Sequence, residues 1–400
     1  MKINTGKGTL PWVVLLAIWS VSAVTSLPGL AISPILGDLT KIFPKATELE
    51  IQLLSSLPSL LIIPFVLLSG KLSEGRRQID LLLWGLAIFF VSGVACMVAK
   101  SMAWLILISC ILGIGAGMVI PLSTGLVVEY FTGDYRIRQL GYSSAINNLA
   151  LVLATALAGY LAEINWHLPF LVYTLSGISL LLCFTLRRTP STEEPKESLQ
   201  LQNKAIDWRR LVGLMVLYFF ITYAVLVITF DIPFLVDHYH IESSFSGILI
   251  SLFFLAIMLP GLFINRIIHH LRTFTNLLSL VLMAAGLIVI GYLHTKASLT
   301  IGVLLCGVGY GVMQPIIYDK AATIAPPRSA TLALSFVMAM NYLAVLLCPF
   351  LLSLLRDLFH VTGQEFAFRL NAIMVLIVAI SACCHRRGFV LGLDEPYFTE

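Results

Sequence analysis

Twelve stretches of this chain stay apolar for about twenty residues at a time, the length a helix needs to cross the hydrocarbon of a bilayer. In that medium every backbone N–H and C=O must be satisfied within the protein, so only helices or closed barrels can span it. The runs show none of the apolar–polar alternation of barrel strands, which leaves helices. The expected spans are 9–35, 50–70, 79–99, 103–128, 139–162, 168–186, 211–236, 245–265, 275–294, 299–321, 330–354 and 366–384. Only 12% of residues are charged, about half the share of a soluble globule. The first run follows Lys2 and Lys7, but it exceeds the apolar core of a signal peptide and is read as the first span. The fold class is therefore an all-α membrane protein of twelve transmembrane helices.

The fourth and tenth runs repeat one phrase. Gly113-Ile114-Gly115-Ala116-Gly117 followed by Pro121 returns as Gly307-Val308-Gly309-Tyr310-Gly311 followed by Pro315, at a constant offset of 194 residues. The same offset relates Asn147 to Asn341 in the next run. Matches in register point to two copies of one six-helix unit, and the small residues predict close helix approach. Residues 187–210 are polar and rich in turn formers, as a linker between the copies would be. The expected organisation is a bundle over 1–186, a cytoplasmic linker over 187–210, a second bundle over 211–387 and a cytoplasmic tail over 388–400. Parallel repeats of this kind describe one known transporter architecture. With both termini inside, nineteen Lys and Arg fall on the cytoplasmic side against six outside, which orients the chain.

Gly70-Lys71-Leu72-Ser73-Glu74-Gly75-Arg76-Arg77, after the second span, resembles the G-x-L-a-D-r-x-G-r-[RK] signature of the major facilitator superfamily. The glycines of the fourth span resemble that family's R-x-x-x-G-x-G-x-G segment, with Ser109 at the arginine position, and Trp166-His167-Leu168-Pro169-Phe170 resembles its W-R-x-x-F. The branch resembled is that of twelve-helix drug:proton antiporters. Its G-P-x-x-G-G segment is replaced here by Ala154-Thr155-Ala156-Leu157-Ala158-Gly159, small but without the proline. The resemblance implies two pseudo-symmetric six-helix bundles and a charge network that latches the cytoplasmic side. Glu74, Arg76, Arg77, Glu129 and Arg136 are its expected members, with Arg266, Arg272 and Asp319 in the second copy. The alternative is that these are solvated charges obeying the positive-inside rule.

A charge inside a span is costly and so marks a candidate site. Asp231, between Phe230 and Ile232-Pro233 in the seventh run, follows some twenty uncharged residues. The resemblance implies a proton-coupling carboxylate there. The competing reading puts it near the outer headgroups, solvated or capping a kink. Asn147, Asn148, Tyr223, Tyr310, Gln314, Asn341 and Tyr342 lie within spans and are candidates for hydrogen-bonding a substrate in a central cavity. Bonding between helices is the competing role.

No G-x-x-x-x-G-K-[ST] phosphate loop occurs, and no nucleophile, base and orienter set suggests an enzyme. The net charge of +4 is too small to argue for nucleic acid. Asp237-His238-Tyr239-His240 reads as an outer loop rather than a metal site, so neither metal nor cofactor is expected. The seven cysteines are expected as free, buried thiols. The chain reads as a secondary transporter of small organic molecules working by alternating access, with proton-coupled export of amphipathic, drug-like compounds as the favoured expectation. Nutrient uptake by symport or uniport is the alternative, and a receptor or scaffold that moves nothing is a third. A monomer in a bacterial inner membrane is expected by resemblance, with substrate, protons and lipid as its partners.

Overall fold

The computed structural model describes residues 2–6, 8–28, 48–74, 78–186, 206–239, 241, 243–360 and 363–393. Most are helical. The long helices are α1 (Trp12–Val24), α2 (Glu48–Leu72), α3 (Gln78–Val98), α4 (Met102–Tyr130), α5 (Gly133–Ile164) and α6 (Leu175–Cys183), then α7 (Trp208–His238), α8 (Ser243–Leu262), α9 (Thr275–Tyr292), α10 (Lys296–Thr323), α11 (Ala330–Phe359) and α12 (Phe366–Cys384). Among the described residues nine helices are long and apolar enough to cross a membrane. Three shorter apolar helices, Trp12–Val24, Leu57–Leu72 and Leu168–Cys183, complete the expected set. Their outward faces are apolar: Trp84, Leu181 and Val98 are 68%, 70% and 71% exposed, a distribution suited to lipid.

The chain divides into two compact units. One comprises Met1–Asp207 with Ala321–Tyr342, the other Trp208–Lys320 with Leu343–Glu400.

The glycine phrase explains the packing inside each. In the first unit a Cβ on Gly113 would lie 2.7 Å from the Pro58 carbonyl oxygen of α2, and one on Gly117 would lie 2.8 Å from that of Ile62. Gly115 faces the other way, with Gly85 O of α3 at 2.9 Å and Phe89 N at 2.7 Å. In the second unit a Cβ on Gly307 would lie 2.8 Å from Phe253 O of α8, one on Gly311 2.3 Å from Ile257 O, and one on Gly309 2.5 Å from Ser279 O of α9 and 2.6 Å from the Met283 side chain. Gly85 and Phe89 sit 194 residues before Ser279 and Met283, so the offset read along the sequence is also an offset of contacts. In both copies the middle helix lies backbone to backbone with two neighbours, and alternate glycines serve alternate sides.

Local departures have local causes. The first span is shorter than expected at its start, because Lys2–Asn4 pairs antiparallel with Thr9–Pro11. Gly6, at φ +83°, permits the turn, and Thr132 N donates to Thr5 O at 3.1 Å, anchoring the hairpin to the α4–α5 junction. The sixth span opens as a 3-10 segment, Leu168–Thr174, before α6. A short helix, Ile264–Leu271, precedes α9.

The cysteines at the described positions are free, as expected, but not uniformly buried. Cys96, Cys183, Cys306 and Cys348 are buried, Cys110 is half-buried, and Cys383 and Cys384 are exposed. The last two stand at the final turn of α12, where the helix leaves its packed neighbours.

Beyond α12 the chain folds back on the second unit. Lys320, 1% exposed, donates from Nζ to Gly392 O, and Asn276 Nδ2 donates to Leu391 O at 3.2 Å. The Phe389 ring lies 4.9 Å from the Arg210 guanidinium and 5.7 Å from Lys320 Nζ.

Candidate functional site

Asp231 lies in the C-terminal third of α7 and is 4% exposed. Its Oδ1 accepts a hydrogen bond of 2.5 Å from Arg356 Nη2, on α11 of the same unit. Arg356, which sequence reasoning counted among outer charges, is 28% exposed at its side chain. A carboxylate at this depth is tolerable because an opposite charge on a neighbouring helix offsets it. Asp231 Oδ2 and Arg356 Nε are buried without a protein partner.

Below that pair, a polar stripe on α10 faces α7. Tyr310, Gln314 and Tyr318 are spaced four residues apart and share one helix face. Tyr218 Oη and Tyr318 Oη are 2.7 Å apart, and Gln314 Nε2 donates to Tyr218 Oη at 3.2 Å and to Tyr318 Oη at 3.4 Å. Tyr310 Oη donates to Tyr218 Oη at 3.4 Å and lies 3.2 Å from Thr222 Oγ1. Tyr218 and Thr222 repeat the four-residue spacing on α7, so two helices contribute matching rows. Tyr218 is fully buried, whereas Gln314 and Tyr318 are half-buried, leaving those two as the accessible edge.

The remaining candidates fall elsewhere. Tyr223 is 3% exposed and stacks parallel to Phe219 at 6.3 Å; its hydroxyl is buried without a partner. In the first unit, Asn147 Oδ1 accepts from Thr25 Oγ1 at 3.1 Å and its carbonyl accepts from Ser26 Oγ at 2.9 Å, tying α5 to the end of α1. Asn148 Nδ2 donates to Ser144 O of its own helix at 2.8 Å. Asn341 and Tyr342 are half-buried on α11.

Among the latch candidates, Glu74 Oε1 accepts from Ser329 Oγ at 2.6 Å, and Arg328 Nε donates to the Glu74 carbonyl at 2.9 Å. These partners come from the junction between α10 and α11, within the first unit. Nearby, Gly125 would meet Thr331 Oγ1 at 2.6 Å and Gly70 would meet Ser335 Oγ at 1.9 Å if either carried a Cβ, so the backbones approach closely. Arg76 and Arg77 lie outside the described residues. Glu129 is exposed and Arg136 half-buried at the α4–α5 junction, while Asp319 is 2% exposed beside Lys320. Arg272 is exposed, at φ 47° in the turn before α9.

A second cluster forms where the C-terminal ends of α7 and α9 meet the N-terminal end of α12. Tyr239 Oη donates to Glu365 Oε1, and the Tyr239 ring stacks on His294 at 4.1 Å and 12°. Arg369 lies over Tyr292 at 4.6 Å and donates from Nε to Gly291 O at 2.8 Å. The bond from Tyr239 holds the Glu365 carboxyl below its usual range. Burial lowers the His294 imidazole, because desolvation disfavours its cation.

Sequence reasoning missed Arg356, Tyr218, Thr222, Tyr318 and Ser329. The four-residue spacing of Gln314 to Tyr318 and of Tyr218 to Thr222 was available as a signal. The partnership of Asp231 with a residue 125 positions away was not.

Comparison with known proteins places this geometry. An uncharacterized MFS-type transporter of Bacillus subtilis, YceJ, is 27% identical over 327 residues, covering 79% of this chain and 83% of that protein. Multidrug resistance protein 3 of the same organism is 30% identical over 148 residues, covering 37% of this chain and 28% of that protein. The structure of the proton:xylose symporter XylE superposes with a TM-score of 0.76 over 96% of this chain and 98% of that one; at 14% identity the likeness is one of fold. The family model for the Major Facilitator Superfamily matches residues 14–349 and again 214–387, so the match spans both copies of the repeat. This twelve-helix, multi-pass membrane protein is a transporter rather than an enzyme, and it belongs to the major facilitator superfamily.

Proposed function

We propose that this transporter exports amphipathic, drug-like molecules across the plasma membrane in exchange for protons, working by alternating access. The observation that carries the reading is the Asp231–Arg356 pair, a nearly buried carboxylate balanced by one guanidinium on another helix. A proton taken up by Asp231 discharges it and breaks the ion pair, leaving Arg356 to water or to another acceptor. Loss of the proton restores the pair. Because the two groups lie on α7 and α11, each protonation changes how strongly those helices hold together, which is the two-state element a coupled carrier needs. The relationship to Multidrug resistance protein 3 supports the choice of substrate class.

Gln314 and Tyr318 supply donors and acceptors for a substrate, with Tyr310 and Tyr218 holding them in place. Asn147, Asn148, Tyr223, Asn341 and Tyr342 are assigned to lining or supporting roles by their depth. The bonds from Ser329 and Arg328 to Glu74 act as the cytoplasmic latch, breaking when that face opens; Arg76, Arg77, Glu129, Arg136, Arg272 and Asp319 complete its charge set.

The test is flux in proteoliposomes under an imposed pH gradient, comparing wild type with Asp231→Asn across lipophilic cations, antibiotics and neutral metabolites. Gradient-driven movement that the variant loses supports the reading. Movement indifferent to pH and equal in the variant removes proton coupling through Asp231. Accumulation running with the proton rather than against it makes the protein an uptake symporter.

A further inference from the structure

Arg369, in the first turn of α12, is exposed, yet its side chain is fixed against α9. Its stem crosses Gly291, where an added Cβ would lie 3.1 Å from Arg369 Cγ, so a larger residue there would crowd it. Nε donates to Gly291 O at 2.8 Å, and the guanidinium carbon lies 4.6 Å from the centroid of the exposed Tyr292 ring. Among the described residues the two terminal nitrogens make no further hydrogen bond or ion pair. A guanidinium anchored at Nε with both Nη groups open presents planar donors that suit a phosphate.

Arg369 also heads a stripe of exposed apolar side chains. Ile373, Leu376 and Ile380 follow it at four, seven and eleven residues, on one face of α12, and all three are exposed. α9 packs against α12 and adds Ile288, exposed one turn from Tyr292. From Arg369 to Ile380 the stripe rises about 16 Å, about half the thickness of a bilayer core and so the depth of one leaflet. A soluble anion would use the guanidinium and leave the stripe bare, and an apolar lipid would do the reverse. A phospholipid has the matching layout, a phosphate followed by an acyl chain. The charge beside Arg369 selects among headgroups. Glu365 stands one turn earlier, its carbonyl accepting from Arg369 N at 3.0 Å and its carboxylate accepting from Tyr239. A cation and an anion with Cβ atoms about 5–6 Å apart suit a phosphate that carries an ammonium better than a headgroup of net negative charge.

We propose that α9 and α12 together hold one glycerophospholipid of the ethanolamine type. Its phosphate sits on the two Nη groups of Arg369, its ammonium beside Glu365, and one acyl chain along Ile373, Leu376 and Ile380. Tyr292 and Gly291 are positioning residues that hold the guanidinium at the end of the stripe. The site is independent of what the protein transports and of proton coupling at Asp231.

Native mass spectrometry of the full-length, delipidated protein in detergent tests this, by titration with phosphatidylethanolamine, phosphatidylglycerol and diacylglycerol of identical acyl chains. The first phosphatidylethanolamine should bind about tenfold more tightly than diacylglycerol, as one charge-assisted hydrogen bond allows, and more tightly than phosphatidylglycerol. Arg369→Gln should bring phosphatidylethanolamine down to the diacylglycerol level. Arg387→Gln, which removes an exposed arginine just beyond α12, should change nothing. Equal affinity of wild type for phosphatidylethanolamine and diacylglycerol overturns the proposal with no variant needed, so a misfolded variant cannot shelter it. An equal loss in Arg387→Gln overturns it as general charge attraction, and tighter binding of phosphatidylglycerol overturns the part given to Glu365. Glycerophosphoethanolamine, the headgroup without chains, should not compete at matched concentration; if it does, the site takes a soluble phosphate ester and the lipid assignment is wrong.

Discussion

Replacing Gly311 by alanine isolates the close packing on which the second unit depends. A Cβ built there would lie 2.3 Å from Ile257 O, 2.9 Å from its Cα and 3.0 Å from its carbonyl carbon. Real Cβ atoms essentially never come inside 3.0 Å, so the shortest approach is about 0.7 Å too close. All three obstructing atoms are backbone, and no rotamer change can clear them. α10 must move away from α8, loosening the contact of Gly307 with the same helix and pressing Gly309 against α9. Overpacking of this kind costs about 1–3 kcal/mol, and rigid obstruction puts Gly311→Ala at the upper end. The better helix propensity of alanine offsets about 1 kcal/mol, leaving a net loss of about 2 kcal/mol. Gly247 is the control: it is exposed on α8, with nothing within 4 Å of an added Cβ, so Gly247→Ala keeps only the propensity gain. The two variants should differ by about 3 kcal/mol, which is roughly 6–12 °C for a unit of 150–250 residues. Thermal unfolding in one detergent at one scan rate measures this. If Gly311→Ala melts with or above Gly247→Ala, the steric account of the repeated glycines is wrong.

The ion pair predicts strong coupling. Arg356→Gln leaves Asp231 buried and unpaired and should cost about 3 kcal/mol, near the low end for a buried pair because Arg356 is 28% exposed; adding Asp231→Asn should recover part of the loss, and strict additivity in chemical unfolding would refute the pairing. The Tyr239–Glu365–His294 cluster predicts loosening in acid. Glu365, held below its usual range by Tyr239, contributes stability above its unfolded value and loses it as pH falls through its folded value. His294, lowered by burial, costs stability once pH drops below the ordinary imidazole range, so both groups act in the same direction. Amide protection at 235–239 and 363–369, with the intrinsic exchange rate at each pH divided out, should fall between about pH 7.5 and 3.5, and His294→Phe, which keeps the stacking, should remove the upper part of that response; protection that does not change with pH would count against it. Truncation after residue 387 removes the carbonyls that hold Lys320 Nζ and should destabilise by about 1.5–3 kcal/mol, with Lys320→Met in the truncated chain restoring much of it. A truncated chain as stable as the full one would show that the tail's docking is incidental.

Much of this protein was legible along the chain because a bilayer imposes its constraint locally. Each span must be apolar over its own twenty residues, so positions and number follow from windows of sequence. The repeat was legible for a related reason. The glycines that let α4 and α10 touch their neighbours answer to the same packing in both copies, and an offset of 194 residues therefore survives in the letters. Partnerships across helices left no such trace. Arg356 looks in sequence like one more charge near a helix end, and only the rotation of α11 against α7 turns it toward Asp231. Tyr218 and Tyr318 read as ordinary aromatic residues of apolar helices until two helix faces are set against each other and their hydroxyls meet at 2.7 Å. The tail after α12 has too few apolar residues to announce a docking site, and it acquires one because Lys320 and Asn276 are buried with donors to satisfy. Sequence determined which segments enter the membrane and which of them are copies, since those depend on neighbours along the chain. Tertiary structure alone decided which polar groups meet, because that depends on helix rotation and register, which residues far apart set together.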